Sequence, residues 1–241
     1  MIIKKLRSIF MWAIGGFITI VLWVVMLFLS IALPFDKQRR IVHSQCFWWS
    51  DAIVAINPFW EMHVKGLENI DKKRTYVIVV NHQSLADIVV LYQTKMQFKW
   101  VAKESLFKVP FIGWNLSLAK HIKLERGDFS SIKHVYREAA EWLRAGMSVL
   151  FFPEGTRSET GVMGEFQNGA FKLAIKEKLP VLPVYLEGTG NCIPKGSWIF
   201  EVKSPCKVTV LPAIETSGYS AADFARLRDD ARASIEKASG R

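Results

Sequence analysis

What this 241-residue chain lacks narrows its reading before any motif is considered. Its three cysteines, Cys46, Cys192 and Cys206, are too few and too far apart for a disulfide framework, and they show no zinc-type spacing. They fit core thiols in a reducing compartment, and neither a metal site nor a cofactor is expected. No internal repeat or low-complexity tract occurs, which excludes a solenoid. No nucleic-acid motif accompanies the net charge of +10. The basic excess therefore needs another anionic partner, and with half of the residues hydrophobic, membrane lipid is the natural one. A G-x-S-x-G elbow is also absent, which leaves no framework for a serine acyl-enzyme.

Charge is missing altogether from residues 8–35. That stretch exceeds the roughly 20 apolar residues that cross a bilayer core, so it belongs in or on a membrane. Lys4, Lys5 and Arg7 would suit a signal peptide, but the apolar run is too long for an h-region and no small-x-small cleavage site follows. The segment is expected to be retained. Lys37, Arg39 and Arg40 flank its far end, so the positive-inside rule gives no orientation. Basic residues at both ends suit a segment that dips in and returns to the same face, with Gly15-Gly16 and Pro34 as places to bend. Residues 41–57 add an apolar helix with polar residues every seven positions, at His43-Ser44, Ser50-Asp51 and Asn57. These form a narrow wet stripe, or else the helix packs on the domain that follows. Five of the nine tryptophans lie in the first 60 residues, and Trp48, Trp49 and Trp60 are candidate headgroup anchors. A membrane-associated two-helix hairpin is expected over residues 1–60.

From residue 61 to 241 the pattern is that of an α/β domain. Strands are predicted at 61–65, 75–80, 98–102, 120–124, 147–152, 181–186, 198–203 and 206–211, alternating at first with helices. The clearest helices cover 130–145 and 171–178, and Ser220 with Asp223 reads as a capping box opening a C-terminal helix. The closing strands follow one another without helices between them. A mixed, largely buried sheet flanked by helices is therefore expected.

The chain is organised around residues 76–90, where an apolar, β-branched run stops at Asn81-His82 and Asp87 follows. Five helical steps turn through roughly 500°, so a histidine and an aspartate at this spacing within one helix would point about 140° apart. They meet only if His82 sits in the loop and Asp87 in the first turn of the helix. The carboxylate then holds one imidazole nitrogen and fixes the tautomer, while the other nitrogen faces a substrate hydroxyl. Ser84 and Asp87 also read as a capping box, and both readings can hold together.

A second buried strand, 148–152, runs into Pro153-Glu154-Gly155-Thr156-Arg157-Ser158. Residues 81–87 match N-H-x4-D and residues 152–158 match F-P-E-G-T-R-S, and together they resemble the signature blocks of the glycerolipid acyltransferases. Two weaker blocks, around Arg126-Gly127 and Val181-Leu-Pro183-Val184, fall in the family's order. The resemblance covers roughly residues 60–215. It is strongest to the short bacterial 1-acylglycerol-3-phosphate (lysophosphatidic acid) acyltransferases.

The resemblance implies acyl transfer from acyl-CoA or acyl-carrier-protein to the sn-2 hydroxyl of lysophosphatidic acid, giving phosphatidic acid. The catalytic domain would face the cytoplasm at a bacterial inner membrane. His82 and Asp87 would form the base pair, and with no nucleophilic serine in view, the acceptor hydroxyl would attack the thioester directly. Arg157 is the best phosphate ligand, because a guanidinium offers a fork of donors and the Gly155-Thr156 turn admits the backbone closely. Glu154 would orient Arg157 or cap the turn. Arg126 and Lys103 resemble positions that the family uses for the acceptor's phosphate. Many relatives carry F-K-x-G-A where this chain has Phe166-Gln167-Asn168-Gly169-Ala170, so Lys172 or the Lys195-Gly196 loop would have to replace that lysine. Another lysolipid or glycerol 3-phosphate is the alternative acceptor. A non-catalytic lipid-binding membrane protein is the alternative from a different class, and a lipid hydrolase would need a nucleophile that the sequence does not offer.

Overall fold

The computed structural model of the protein describes residues 2–57, 60–125, 127–158, 160–194, 196–200 and 204–240. Seven strands among these residues form one sheet: β1 (Trp60–Lys65), β2 (Val77–Val80), β3 (Phe98–Lys103), β4 (Ile122–Leu124), β5 (Ser148–Phe151), β6 (Val181–Glu187) and β7 (Ser204–Val210). Their order is β1-β7-β6-β2-β5-β3-β4. Every pairing is parallel except β6 with β7, so the sheet is mixed as expected.

The helices are α1 (Ile2–Ala32), α2 (Arg40–Ala55), α3 (Ala86–Tyr92), α4 (Glu104–Phe107), α5 (Ile112–Leu118), α6 (Phe129–Arg144), α7 (Gly169–Glu177), α8 (Thr189–Cys192) and α9 (Phe224–Ala238). The continuous apolar run of β2 has its cause in the layering: Ile78 and Val80 join the core under α2, α3 and α8, while Val77 and Val79 join the core under α6, α7 and α9. Central positions such as Leu150 are wholly buried, and truncating one to alanine costs about 2–5 kcal/mol.

The first two helices form an antiparallel hairpin. At 1.5 Å per residue α1 is about 46 Å long, and it continues through Gly15-Gly16 without a break. The reversal falls instead after Ala32, around Pro34, where the Asp36 carboxylate accepts the Arg40, Ile41 and Val42 N–H groups and caps α2. One face of α1 packs on the rest of the protein through Met11, Thr19 and Met26. The opposite face exposes Phe10, Phe17, Val24 and Phe28. This helix is long and apolar enough to cross a membrane.

The structure corrects several local expectations. The polar positions of α2 are no wet stripe: His43, Ser50 and Asn57 are buried, and Ser50 Oγ donates to Val89 O of α3. Ser50 finds a buried acceptor there, whereas neither ring nitrogen of His43 has a hydrogen-bond partner among the described residues. His43 lies in a nest of rings, 5.5 Å from those of Phe47, Tyr92 and Phe98. Trp60 is a core residue at the edge of β1 and no headgroup anchor, whereas Trp48 is exposed. Residues 198–200 do not form a strand, and 201–203 lie outside the described residues. Ser220 and Asp223 bond to each other in a turn that precedes α9 instead of boxing its first turn. Cys192 and Cys206, which their spacing did not connect, meet as buried thiols with Sγ atoms 2.9 Å apart.

Candidate active site

Parallel strands carry their C-terminal ends to one edge of the sheet, and the loops leaving β2, β3 and β5 there hold most of the predicted residues. His82 lies in the loop between β2 and α3, and Asp87 lies in the first turn of α3. His82 Nδ1 is 2.7 Å from Asp87 Oδ2. The same oxygen accepts the backbone N–H groups of Gln83 and Ser84 at 2.8 and 3.1 Å, so the loop is wrapped around a fully buried carboxylate. An ionised carboxylate only accepts, which makes Nδ1 the protonated nitrogen and leaves Nε2 with its lone pair. Nε2 has no protein partner among the described residues. The imidazole is stacked on Phe152, with centroids 4.0 Å apart and planes at 22°.

The other residues of the first motif hold this loop in place. Asn81 exchanges two hydrogen bonds with Leu186 of β6, at 2.9 and 2.7 Å. Ser84 Oγ donates to Ile193 O and accepts from Ala86 N, so the capping role and the His82–Asp87 contact coexist. Ser158 Oγ donates to Val162 O. Both hydroxyls are thus spent on the backbone.

The second motif grips the peptide groups of His82. Glu154 Oε1 accepts the His82 N–H at 2.7 Å, and Ser158 N–H donates to His82 O at 2.8 Å. Glu154 Oε2 accepts the Gly164 N–H at 2.8 Å. Burial pushes the Glu154 carboxyl above the usual carboxylate range, against the pull of those two N–H groups. Of the two roles the sequence suggested for Glu154, these contacts take up neither as such: the carboxylate accepts from the loop that carries His82 and from the Gly164 segment, not from its own turn.

A cleft of about 1240 Å³ opens at this edge, and His82, Lys103, Gly155, Thr156 and Arg157 line it together. Lys103 arrives from the end of β3, next to β5 in the sheet. Lys172 lines the same cleft, with Nζ 4.3 Å from the centre of the Phe224 ring. Arg126 and Lys195 lie outside the described residues. Lys133 and Arg137 of α6 and Lys176 of α7, which belong to none of the sequence motifs, also line the cleft. Their signal was the four-residue spacing of basic residues along each helix.

This edge holds an imidazole oriented by a buried carboxylate beside cations suited to phosphate. Comparison with known proteins finds the same fold and related sequences. The Acyltransferase family model matches residues 61–187. A 1-acyl-sn-glycerol-3-phosphate acyltransferase of Pseudomonas aeruginosa is 33% identical over 87% of this chain and 81% of its own length. A chloroplastic enzyme of the same name from Arabidopsis thaliana is 38% identical over 80% of this chain, which spans only 55% of that longer protein. The crystal structure of the 1-acyl-sn-glycerophosphate (LPA) acyltransferase PlsC from Thermotoga maritima superposes with a TM-score of 0.82 at 28% identity, covering 98% of this chain and 95% of that one.

Proposed function

This chain belongs to the acyltransferase family, and on that premise we propose that it transfers a fatty acyl group from acyl-CoA or acyl-carrier-protein to the sn-2 hydroxyl of 1-acylglycerol 3-phosphate, giving phosphatidic acid. The observation that carries the reading is the His82–Asp87 contact of 2.7 Å at the mouth of a cleft lined by Arg157 and Lys103.

The acceptor hydroxyl donates its proton to His82 Nε2 as its oxygen attacks the thioester carbonyl carbon. The imidazolium formed is stabilised by the Asp87 carboxylate on its other side. Charge then develops on the carbonyl oxygen, and the Thr156 N–H is the candidate donor to it, since it has no acceptor among the described residues and lines the cleft. Collapse of the tetrahedral intermediate breaks the C–S bond, and the leaving thiolate takes up the proton held on Nε2. No acyl-enzyme is needed. Arg157 and Lys103 bind the acceptor's phosphate, and the exposed apolar face of α1 keeps the cleft at the membrane where the lysophosphatidic acid acceptor resides, with the domain on the cytoplasmic side, where a soluble donor reaches it.

A purified-protein assay tests this by trapping released thiol with either donor, with and without lysophosphatidic acid. Acceptor-dependent release that disappears in His82→Ala is the expected result, since loss of a general base costs roughly 10²- to 10⁴-fold. Release without acceptor would make the protein a hydrolase, and none with any lysolipid would make it a binder. Arg157→Ala should impair use of lysophosphatidic acid about tenfold to a hundredfold more than use of uncharged monoacylglycerol. Equal impairment of both would move Arg157 to the donor or to the fold.

A further inference from the structure

Resting on the thioester donor of that reaction, we propose that the groove between α6 and α7 binds the phosphates of a coenzyme A-type donor, through Lys133, Arg137 and Lys176 with Lys172 beside them. Among the described residues, twenty-nine line the cleft; seven of these are lysine or arginine and none is aspartate or glutamate. The acceptor carries one phosphate, for which Arg157 and Lys103 suffice. The other cations sit elsewhere in the cleft, on two helices.

Topology says how those cations are arranged. The connections β4-α6-β5 and β5-α7-β6 join parallel strands, so both helices start at the catalytic edge and run away from it. Position along each helix therefore measures distance from the level of His82. Lys133, Arg137 and Arg144 fall at intervals of four and seven residues, which places them on one face of α6. Lys172 and Lys176 make the corresponding row on α7. The row from Lys133 to Arg144 extends about 16 Å, the scale of an extended pantetheine arm.

The charges along this lane are largely unanswered. Arg144 pairs with Glu177 at 2.6 Å, which ties α6 to α7 at the far end. Lys133, Lys172 and Lys176 form no ion pair among the described residues, and Arg137 reaches only His134, at 2.8 Å. Like charges along facing helices repel one another, and a polyanion lying between them relieves that repulsion. Coenzyme A carries three phosphates at the end of a pantetheine arm whose sulfur bears the acyl group. With the thioester at His82, the arm follows the groove and the phosphates fall among the cations of the lane. A carrier protein offers a single phosphodiester at the end of the arm, which leaves most of the lane's cations unanswered.

The test uses the full-length protein and its Arg137→Gln/Lys176→Gln variant, both side chains being exposed and clear of the core. Coenzyme A binding is measured by calorimetry, and turnover is measured with acyl-CoA, acyl-carrier-protein and the phosphate-free acyl-pantetheine. The variant is expected to weaken coenzyme A binding and raise the KM for acyl-CoA about tenfold, an effect that shrinks as salt is added. Acyl-pantetheine turnover and the acceptor KM should stay within about twofold. Unchanged binding overturns the proposal, as does a loss confined to acyl-carrier-protein, a loss shared equally by acyl-pantetheine, or a rise confined to the acceptor KM. Should the wild-type protein acylate no lysophosphatidic acid at all, the proposed reaction fails, and calorimetry still decides the lane.

Discussion

Replacing Asp87 by asparagine probes the proposed catalytic pair more sharply than removing His82. Asp87 Oδ2 receives three donors, His82 Nδ1–H at 2.7 Å and the backbone N–H groups of Gln83 and Ser84 at 2.8 and 3.1 Å. An asparagine oxygen in that place keeps all three, because a flipped amide would turn its NH2 against two backbone N–H groups. The imidazole therefore keeps its tautomer in the variant, and what it loses is the charge beside it. With about 4 Å between charge centres and an effective dielectric constant near 20, a carboxylate stabilises an imidazolium by about 4 kcal/mol. That corresponds to roughly a thousandfold in rate. The new NH2 group takes the place of Oδ1, which is buried with no hydrogen-bond partner among the described residues, at a cost to stability of about 1–3 kcal/mol. Asp87→Asn should thus lower kcat/KM by about 10²- to 10³-fold in the thiol-release assay, leave the acceptor KM nearly unchanged, and retain a cooperative thermal transition. Asp87→Ala also strips two backbone N–H groups of their acceptor, so it should lose clearly more stability. An asparagine variant that keeps more than about a tenth of wild-type kcat/KM would refute the electrostatic role. Equal Tm values for the two variants would refute the claim that Oδ2 organises the loop.

Glu154→Gln leaves one acceptor oxygen where two backbone N–H groups need one each, so kcat should fall about tenfold or more for charged and uncharged acceptors alike; a loss selective for lysophosphatidic acid would instead make Glu154 part of acceptor recognition. Lys99 is fully buried with Nζ 2.6 Å from Ala119 O, and burial pulls its pKa from 10.5 to about 7. The unfolded chain holds that proton where the folded one has released it, so stability should rise with pH from about 7 to 10, by on the order of a few kcal/mol. Lys99→Met should flatten that rise in Tm, and an unchanged slope would show that the lysine stays charged. Asp at Phe17 and Val24, both on the exposed face of α1, should shift the protein to the soluble fraction, since a charge costs up to about 2.5–3.5 kcal/mol in the bilayer, most at the helix centre near Phe17. Extraction of the wild-type protein by high salt alone would contradict the hydrophobic attachment.

The sequence by itself determined the strand-loop-helix around His82, because a buried apolar run, a five-residue His-to-Asp interval and helix-start chemistry are local facts with one geometric solution. It also determined the long apolar helix and the class of the sheet. These properties depend on composition and spacing within a few turns of chain. What it could not contain was the meeting of segments far apart. Glu154 grips the backbone of a residue 72 positions away, and its role depends on β2 and β5 lying side by side, which no local pattern encodes. The polar row of α2 reads as wet or buried with equal ease until the helix has something to pack against, and only the tertiary fold turned Ser50 and His43 inward. The basic rows of α6 and α7 look like ordinary solvated helix faces in isolation. They come to line one cleft because two parallel crossovers on the same side of the sheet bring them to its walls, and the position of a charge in space is decided by that packing and not by its neighbours in the chain.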